Sequence, residues 1–238
     1  MIKSASQDVK RFESIIKASG FTGQKIYADY ISGQVQETNS FYVMENCAFM
    51  LSGINLTLCG RSSADELEEI VMFCNFCGVK TIESQISHLP FEKSRTLHIM
   101  EYRGTIKPCT EQVTVNDDRY SFIKFCCSNF HGLNFDIVYS NFSRKVNSGI
   151  AELCYITEDG KIVSGAIATK YGEDTVYITF VSTSPACRNR GLAAQVLYYI
   201  IEKNKDKKVI LKCEDSLKPF YEKLGFEEIG TLSLYKDR

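Results

Sequence analysis

The chain has 238 residues, 44% hydrophobic and 24% charged, enough for one large core or two modest ones. Its 28 basic and 29 acidic side chains leave a formal net charge of −1, so no whole-chain field draws it to nucleic acid or to an anionic membrane. The opening MIKSASQDVKRFESIIKAS lacks the apolar core of a signal peptide, and no run reaches the length of a membrane span, which predicts a cytoplasmic protein. Most of the 10 cysteines lie in apolar runs, as do Cys126, Cys127, Cys154 and Cys213. They read as small hydrophobes in a reducing compartment rather than as a disulfide scaffold. Cys74-x-x-Cys77 has no second such pair and no nearby histidine, so it reads as packing, and no metal is expected.

In chain order, residues 5–18 form an amphipathic helix with Val9, Phe12, Ile15 and Ile16 on one face and Gly20 beyond its stop. Strands follow near 41–44, 47–52 and 55–59. Ser63 then precedes Glu66 by the three residues of a capping box, and Leu67, Ile70, Val71, Cys74 and Cys77 continue one helical face as far as Gly78. Val79–Ile82 and Leu97–Tyr102 read as strands. Gly104 and Pro108 break the pattern, placing a boundary between residues 1–107, an N-terminal α/β region, and residues 108–238.

The second region opens with a strand near 111–115 and helices near 117–129 and 133–146. Strands at 149–157, 162–170 and 175–182 follow, the first two joined by an Asp159-Gly160 turn. A helix at 191–204, a strand Val209–Cys213, a short helix at 217–223 and a strand near 228–235 complete the chain. In outline the two regions run alike, although no residue-level repeat accompanies the likeness.

The chemistry is concentrated in Val181-Ser182-Thr183 and the stretch Arg188-Asn189-Arg190-Gly191-Leu192-Ala193-Ala194, which leaves a strand and opens a helix. A helix start has N–H groups without partners and the positive end of the dipole, which together favour an anion. Gly191 removes a Cβ from the approach, Ala193 keeps the turn small, and Arg188 and Arg190 add positive charge. A diphosphate fits that description. About thirty residues on comes Phe220-Tyr221-Glu222-Lys223-Leu224-Gly225-Phe226, with Gly225 as a helix cap before the last strand.

The combination strand–RNRGLA–helix–strand–FYEKLGF resembles the GNAT superfamily of N-acetyltransferases over residues 108–238. The resemblance implies an α+β fold: a mixed twisted sheet, flanked by helices, whose central parallel strands splay. The N-terminal region would then be a degenerate copy of related topology. It implies acetyl-CoA as co-substrate, with the backbone of Val181–Thr183 along the pantetheine and the N–H groups of Asn189–Ala194 on the pyrophosphate. Tyr221 would protonate the leaving thiolate, and the acceptor would be an amine on a small molecule or peptide. Two positions depart from the pattern. Glu214 stands where such families often place asparagine, seven residues before the tyrosine, and TVYITFVST carries no acidic residue to act as base. Glu214, Glu152 and a water relay through Thr179 or Tyr177 are the alternatives for that base. His88, His98 and His131 are isolated and read as structural or exposed. Asp65, Glu66 and Glu68 at the N-terminal region's helix start would repel a diphosphate. Two other readings stand beside direct acetyl transfer: a non-catalytic acyl-CoA binder, and an interaction protein that only shares the architecture.

Overall fold

In the computed structural model, which describes residues 1–31, 39–130 and 132–236, a short strand β1 (Lys3–Ser4) leads into helices α1 (Val9–Ala18) and α2 (Gly20–Ile31). The Asp8 side chain accepts from Arg11 N and starts α1 later than the periodicity of residues 5–18 suggests. Gly20 does not end the helical region, as expected, but turns it. With φ +59° it redirects the chain into α2, whose Phe21, Ile26 and Ala28 are buried. The turn is tight, because a Cβ on Gly23 would stand 2.1 Å from the Ile16 carbonyl.

Strands β2 (Asn39–Val43), β3 (Cys47–Ser52) and β4 (Asn55–Gly60) form an antiparallel meander. Helix α3 (Ala64–Cys77) crosses over to β5 (Thr81–Ser84), which pairs parallel to β4 from Asn55–Thr81 to Leu58–Ser84. Period-two alternation divides the side chains between two cores. Ala48, Met50 and Cys59 pack with Phe12, Ile16 and Ile26 of α1 and α2. Phe49, Leu56, Leu58 and Ile82 pack with Ile70 and Cys74 of α3. Strand β6 (Glu92–Tyr102) follows, longer than the Leu97–Tyr102 expected.

The elements that follow repeat this order. After β7 (Thr114–Val115) come helices α4 (Arg119–Asn129) and α5 (Phe135–Asn147), capped by the side chains of Asp118 and Asn134. Strands β8 (Ala151–Glu158), β9 (Lys161–Lys170) and β10 (Thr175–Thr183) are again an antiparallel meander. Asp159 (φ 49°) and Gly160 (φ 72°) make the β8–β9 turn with both residues left-handed, as that hairpin requires. Helix α6 (Leu192–Lys203) crosses over to β11 (Lys208–Cys213), parallel to β10, and α7 (Lys218–Leu224) and β12 (Phe226–Lys236) end the fold. Phe122, Ile123 and Cys126 of α4 pack with Leu153, Tyr155 and Ile167. Leu192, Val196, Leu197, Ile200 and Ile201 are the buried stripe of α6.

The chain divides into two compact units: Met1–Ile99 with Cys213–Ser216 and Ile229–Arg238, and Met100–Lys212 with Leu217–Glu228. In the first unit Ser233–Lys236 of β12 lies antiparallel to Thr81–Ser84 of β5, so the end of the last strand joins the strands of the first unit. The α+β class and the mixed sheet expected from the sequence are both present.

Candidate functional site

In the second unit β10 and β11 pair from Thr175–Lys208 as far as Ile178–Leu211 and then part. On its other edge β10 carries a bulge between Thr179 and Ser182, before it re-pairs with β9 at Ser182–Gly165 and Thr183–Ser164. Phe180 sits in that bulge with φ +54°, unusual for an aromatic residue, and its ring is held edge-on by Phe130 at 5.3 Å and Phe142 at 5.5 Å. The bulge redirects the strand where it leaves β11.

A cavity of about 370 Å³ opens there. Val181, Ser182 and Thr183 line it from β10. Arg188, Asn189, Gly191, Leu192, Ala193 and Ala194 line it from the loop and the first turn of α6, and Tyr221 from α7. The sequence-expected site residues thus meet around one space, apart from Arg190. Its guanidinium donates to both carboxylate oxygens of Glu158, at 2.9 and 2.7 Å, outside the lining. That hydrogen-bonded pairing holds the Glu158 carboxyl below its ordinary value and raises the Arg190 guanidinium. Arg188 Nε donates to the Thr183 carbonyl at 3.3 Å, tying the loop to the strand.

The start of α6 differs from those of the capped helices. Side chains cap α1 (Asp8), α3 (Ser63), α4 (Asp118) and α5 (Asn134), whereas α6 begins at Gly191 with no side-chain cap and no acidic residue in its first turn. Its first-turn N–H groups face an open space with the positive end of the dipole behind them. Asn189 (φ 62°) and Gly191 (φ 78°) are both left-handed, curling the loop so that successive N–H groups converge. A Cβ on Gly191 would meet nothing within 4 Å, so glycine is required by its backbone angle rather than by crowding.

Tyr221 is buried at 5% exposure, with Phe220 at 5.0 Å and Phe226 at 5.8 Å, both edge-on. Gly225 ends α7 at φ 104°, and a Cβ on it would stand 2.9 Å from Gly104 Cα. Arg103 N donates to the Gly225 carbonyl at 2.9 Å. The helix that carries Tyr221 is therefore stopped and anchored by one residue. Cys187, Leu217 and Phe220 complete the lining, and sequence reasoning missed all three. The Cys187 thiol carries no motif, and the two apolar positions read as ordinary helix burial.

No carboxylate or histidine lines this cavity. Glu152 binds Lys203 at 2.9 Å and Glu214 binds Arg95 at 2.6 Å, so both carboxylates weighed as bases are ion-paired. Tyr177 is buried and stacked on Tyr171 at 4.9 Å. His98 Nε2 is bonded to Asp215 Oδ1, His88 is exposed, and His131 lies outside the described residues. Among the described residues no group of His, Cys, Asp or Glu is arranged to hold a metal ion, and no helix is long and apolar enough to cross a membrane. Burial pushes the thiols of Cys47, Cys59 and Cys154 up to about 12, consistent with packing rather than reactivity.

Residues 130–237 match the family model described as Acetyltransferase (GNAT) domain. The fold as a whole is similar to solved structures described as GCN5-related N-acetyltransferases. That from Kribbella flavida is 13% identical with a TM-score of 0.66, over 90% of this chain and 95% of that one. That from Sphaerobacter thermophilus is 12% identical with a TM-score of 0.66, over 100% and 95%. A GNAT-family acetyltransferase from Colwellia psychrerythraea is 10% identical with a TM-score of 0.64, over 100% of both chains. At such identities the likeness is one of fold. No curated protein matches the chain.

Proposed function

We propose that this chain, whose residues 130–237 match a family model described as Acetyltransferase (GNAT) domain, transfers an acetyl group in its second unit from acetyl-CoA directly to an amine of a small molecule or peptide. The observation that carries the reading is the convergence of the uncapped α6 start, the reach of β10 beyond its pairing with β11 at Ile178 and the Tyr221 ring on one cavity. A diphosphate fits the N–H groups of Asn189–Ala194, with Arg188 beside them, and an amide-bearing arm fits the strand backbone of Val181–Thr183. Arg190, held by Glu158, acts as a brace for the loop on this reading rather than as a phosphate ligand.

In the reaction a neutral amine attacks the thioester carbonyl. A C–N bond forms, the C–S bond breaks, the amine proton leaves to water, the thiolate takes a proton from Tyr221, and Tyr221 regains one from water. A positioned acid of this kind contributes about 10²–10⁴-fold. No carboxylate lines the cavity to deprotonate the amine. An amine of pKa about 10.4 loses its proton at pH 7 at a cost on the order of 4–5 kcal/mol, so turnover should rise with pH as the acceptor deprotonates. That same lack of a base favours a second reading, an acyl-CoA-binding domain without turnover.

Release of CoA thiol, measured against a panel of amines, separates the two. The wild-type chain should release thiol with at least one acceptor. Tyr221→Phe, which keeps the ring and its two edge-on contacts, should turn over about 10²-fold more slowly with acetyl-CoA affinity nearly unchanged. Full turnover in Tyr221→Phe would make the residue a packing element. Acetyl-CoA binding without thiol release in the wild type would establish the second reading.

A further inference from the structure

The first unit repeats the arrangement that opens the second-unit cavity. Strands β4 and β5 pair in parallel as far as Leu58–Ser84 and then part, as β10 and β11 do after Ile178–Leu211. Beyond their C-terminal ends lies a cavity of about 900 Å³, between α1–α2, the β2–β3 turn and the loop into α3. In open sheets the crevice beyond the C-terminal ends of the strands, where strand direction switches, is where ligands settle.

The ligand is not a phosphate, because the start of α3 is already filled. The Glu66 carboxylate accepts from Ser63 N at 2.9 Å and Asn46 N at 3.0 Å, and Ser63 caps Glu66 N in return. Other chemistry faces the space. Arg61 and Glu45 both line the cavity and both are exposed. They flank a single backbone bond, Arg61 N to the Asn46 carbonyl at 2.9 Å. No ion pair among the described residues engages either side chain. Gly60, at φ +97°, leaves 2.4 Å between an added Cβ and the Asn46 carbonyl, so backbone contact fixes where the two charges emerge. Ser14 and Ser87 also line the space.

We propose that this cavity binds a small zwitterion of the free α-amino acid type. Its carboxylate would meet the planar guanidinium of Arg61, a fork suited to two parallel hydrogen bonds. Its ammonium would give its donors to Glu45 and the serine hydroxyls. The two protein charges are opposite in sign and next to one backbone bond, so a ligand carrying both charges on one carbon satisfies both at once. A ligand with either charge alone leaves one of them unanswered.

Calorimetric titration of the full chain with L-amino acids tests this, each set beside its N-acetyl derivative and its amide, which lack one of the two charges. At least one amino acid should bind saturably, and its two derivatives at least about tenfold more weakly. Arg61→Ala and Glu45→Ala change exposed side chains and should leave the thermal unfolding transition in place while each weakens that binding at least about tenfold. No saturable binding, equal binding of the derivatives, or unchanged affinity in both variants overturns the proposal. An amino acid held only as acceptor in the second unit would give the last of these results, so failure here is distinct from failure of the acetyl-transfer reading.

Discussion

Glu66 shows how one side chain can remove a function that a fold would otherwise offer. Burial works to raise its pKa, but the hydrogen bonds from Ser63 and Asn46 outweigh that and hold it below the ordinary 4.5. A folded-state pKa depressed in this way stabilises the fold fully above about pH 4.5 and less as pH falls through the folded value. Glu66→Gln keeps the shape but loses the charge, and should cost about 1–3 kcal/mol near neutral pH. The gap in urea midpoint between wild type and variant should narrow below about pH 4.5, and a gap independent of pH would contradict the assignment. The capping-box spacing of Ser63 and Glu66 was legible in the sequence because it is local. Gly191 was legible as a required glycine for a different reason from the one its structure supplies. Sequence suggested room for a ligand, whereas the cause is a left-handed φ of 78° with open space around it. Backbone angles are set by the elements on either side, and a linear pattern does not carry them.

At the scale of elements, the contrast between α3 and α6 is the central one. The two helices occupy the same place in two like-ordered units, each crossing from a meander to a parallel strand. One start is closed by Ser63 and Glu66; the other is left open by Gly191. Closing α6 in the same manner should silence it. Ala193→Glu adds an acid to its first turn, which favours the helix by about 0.3–1 kcal/mol through the dipole. Acetyl-CoA affinity should nevertheless fall at least about tenfold, because the new carboxylate repels the diphosphate. Calorimetry and thermal melting on one variant separate binding from stability, and an unchanged affinity would place the cofactor elsewhere. The existence and order of most elements followed from periodicity and turn residues. The exceptions are the two-residue β1 and α2, the latter because a glycine after an amphipathic helix reads as a stop. Only the close packing of Gly23 against Ile16 shows that the chain doubles back.

Over the whole molecule, each unit draws on distant sequence: Cys213–Ser216 and Ile229–Arg238 belong with the first hundred residues. Such membership depends on strand pairing across about 150 positions, as between Leu234 and Glu83, and no local signal announces it. The likeness of outline between the two regions was readable, but which of them leaves its crossover helix without a side-chain cap was decided by two helix starts. The measurement that tests the account most directly is an isothermal titration of the full chain with acetyl-CoA. The account predicts one site per chain, retained in Arg61→Ala and lost in Ala193→Glu. Two equivalent sites, or a single site that Ala193→Glu leaves intact, would contradict it.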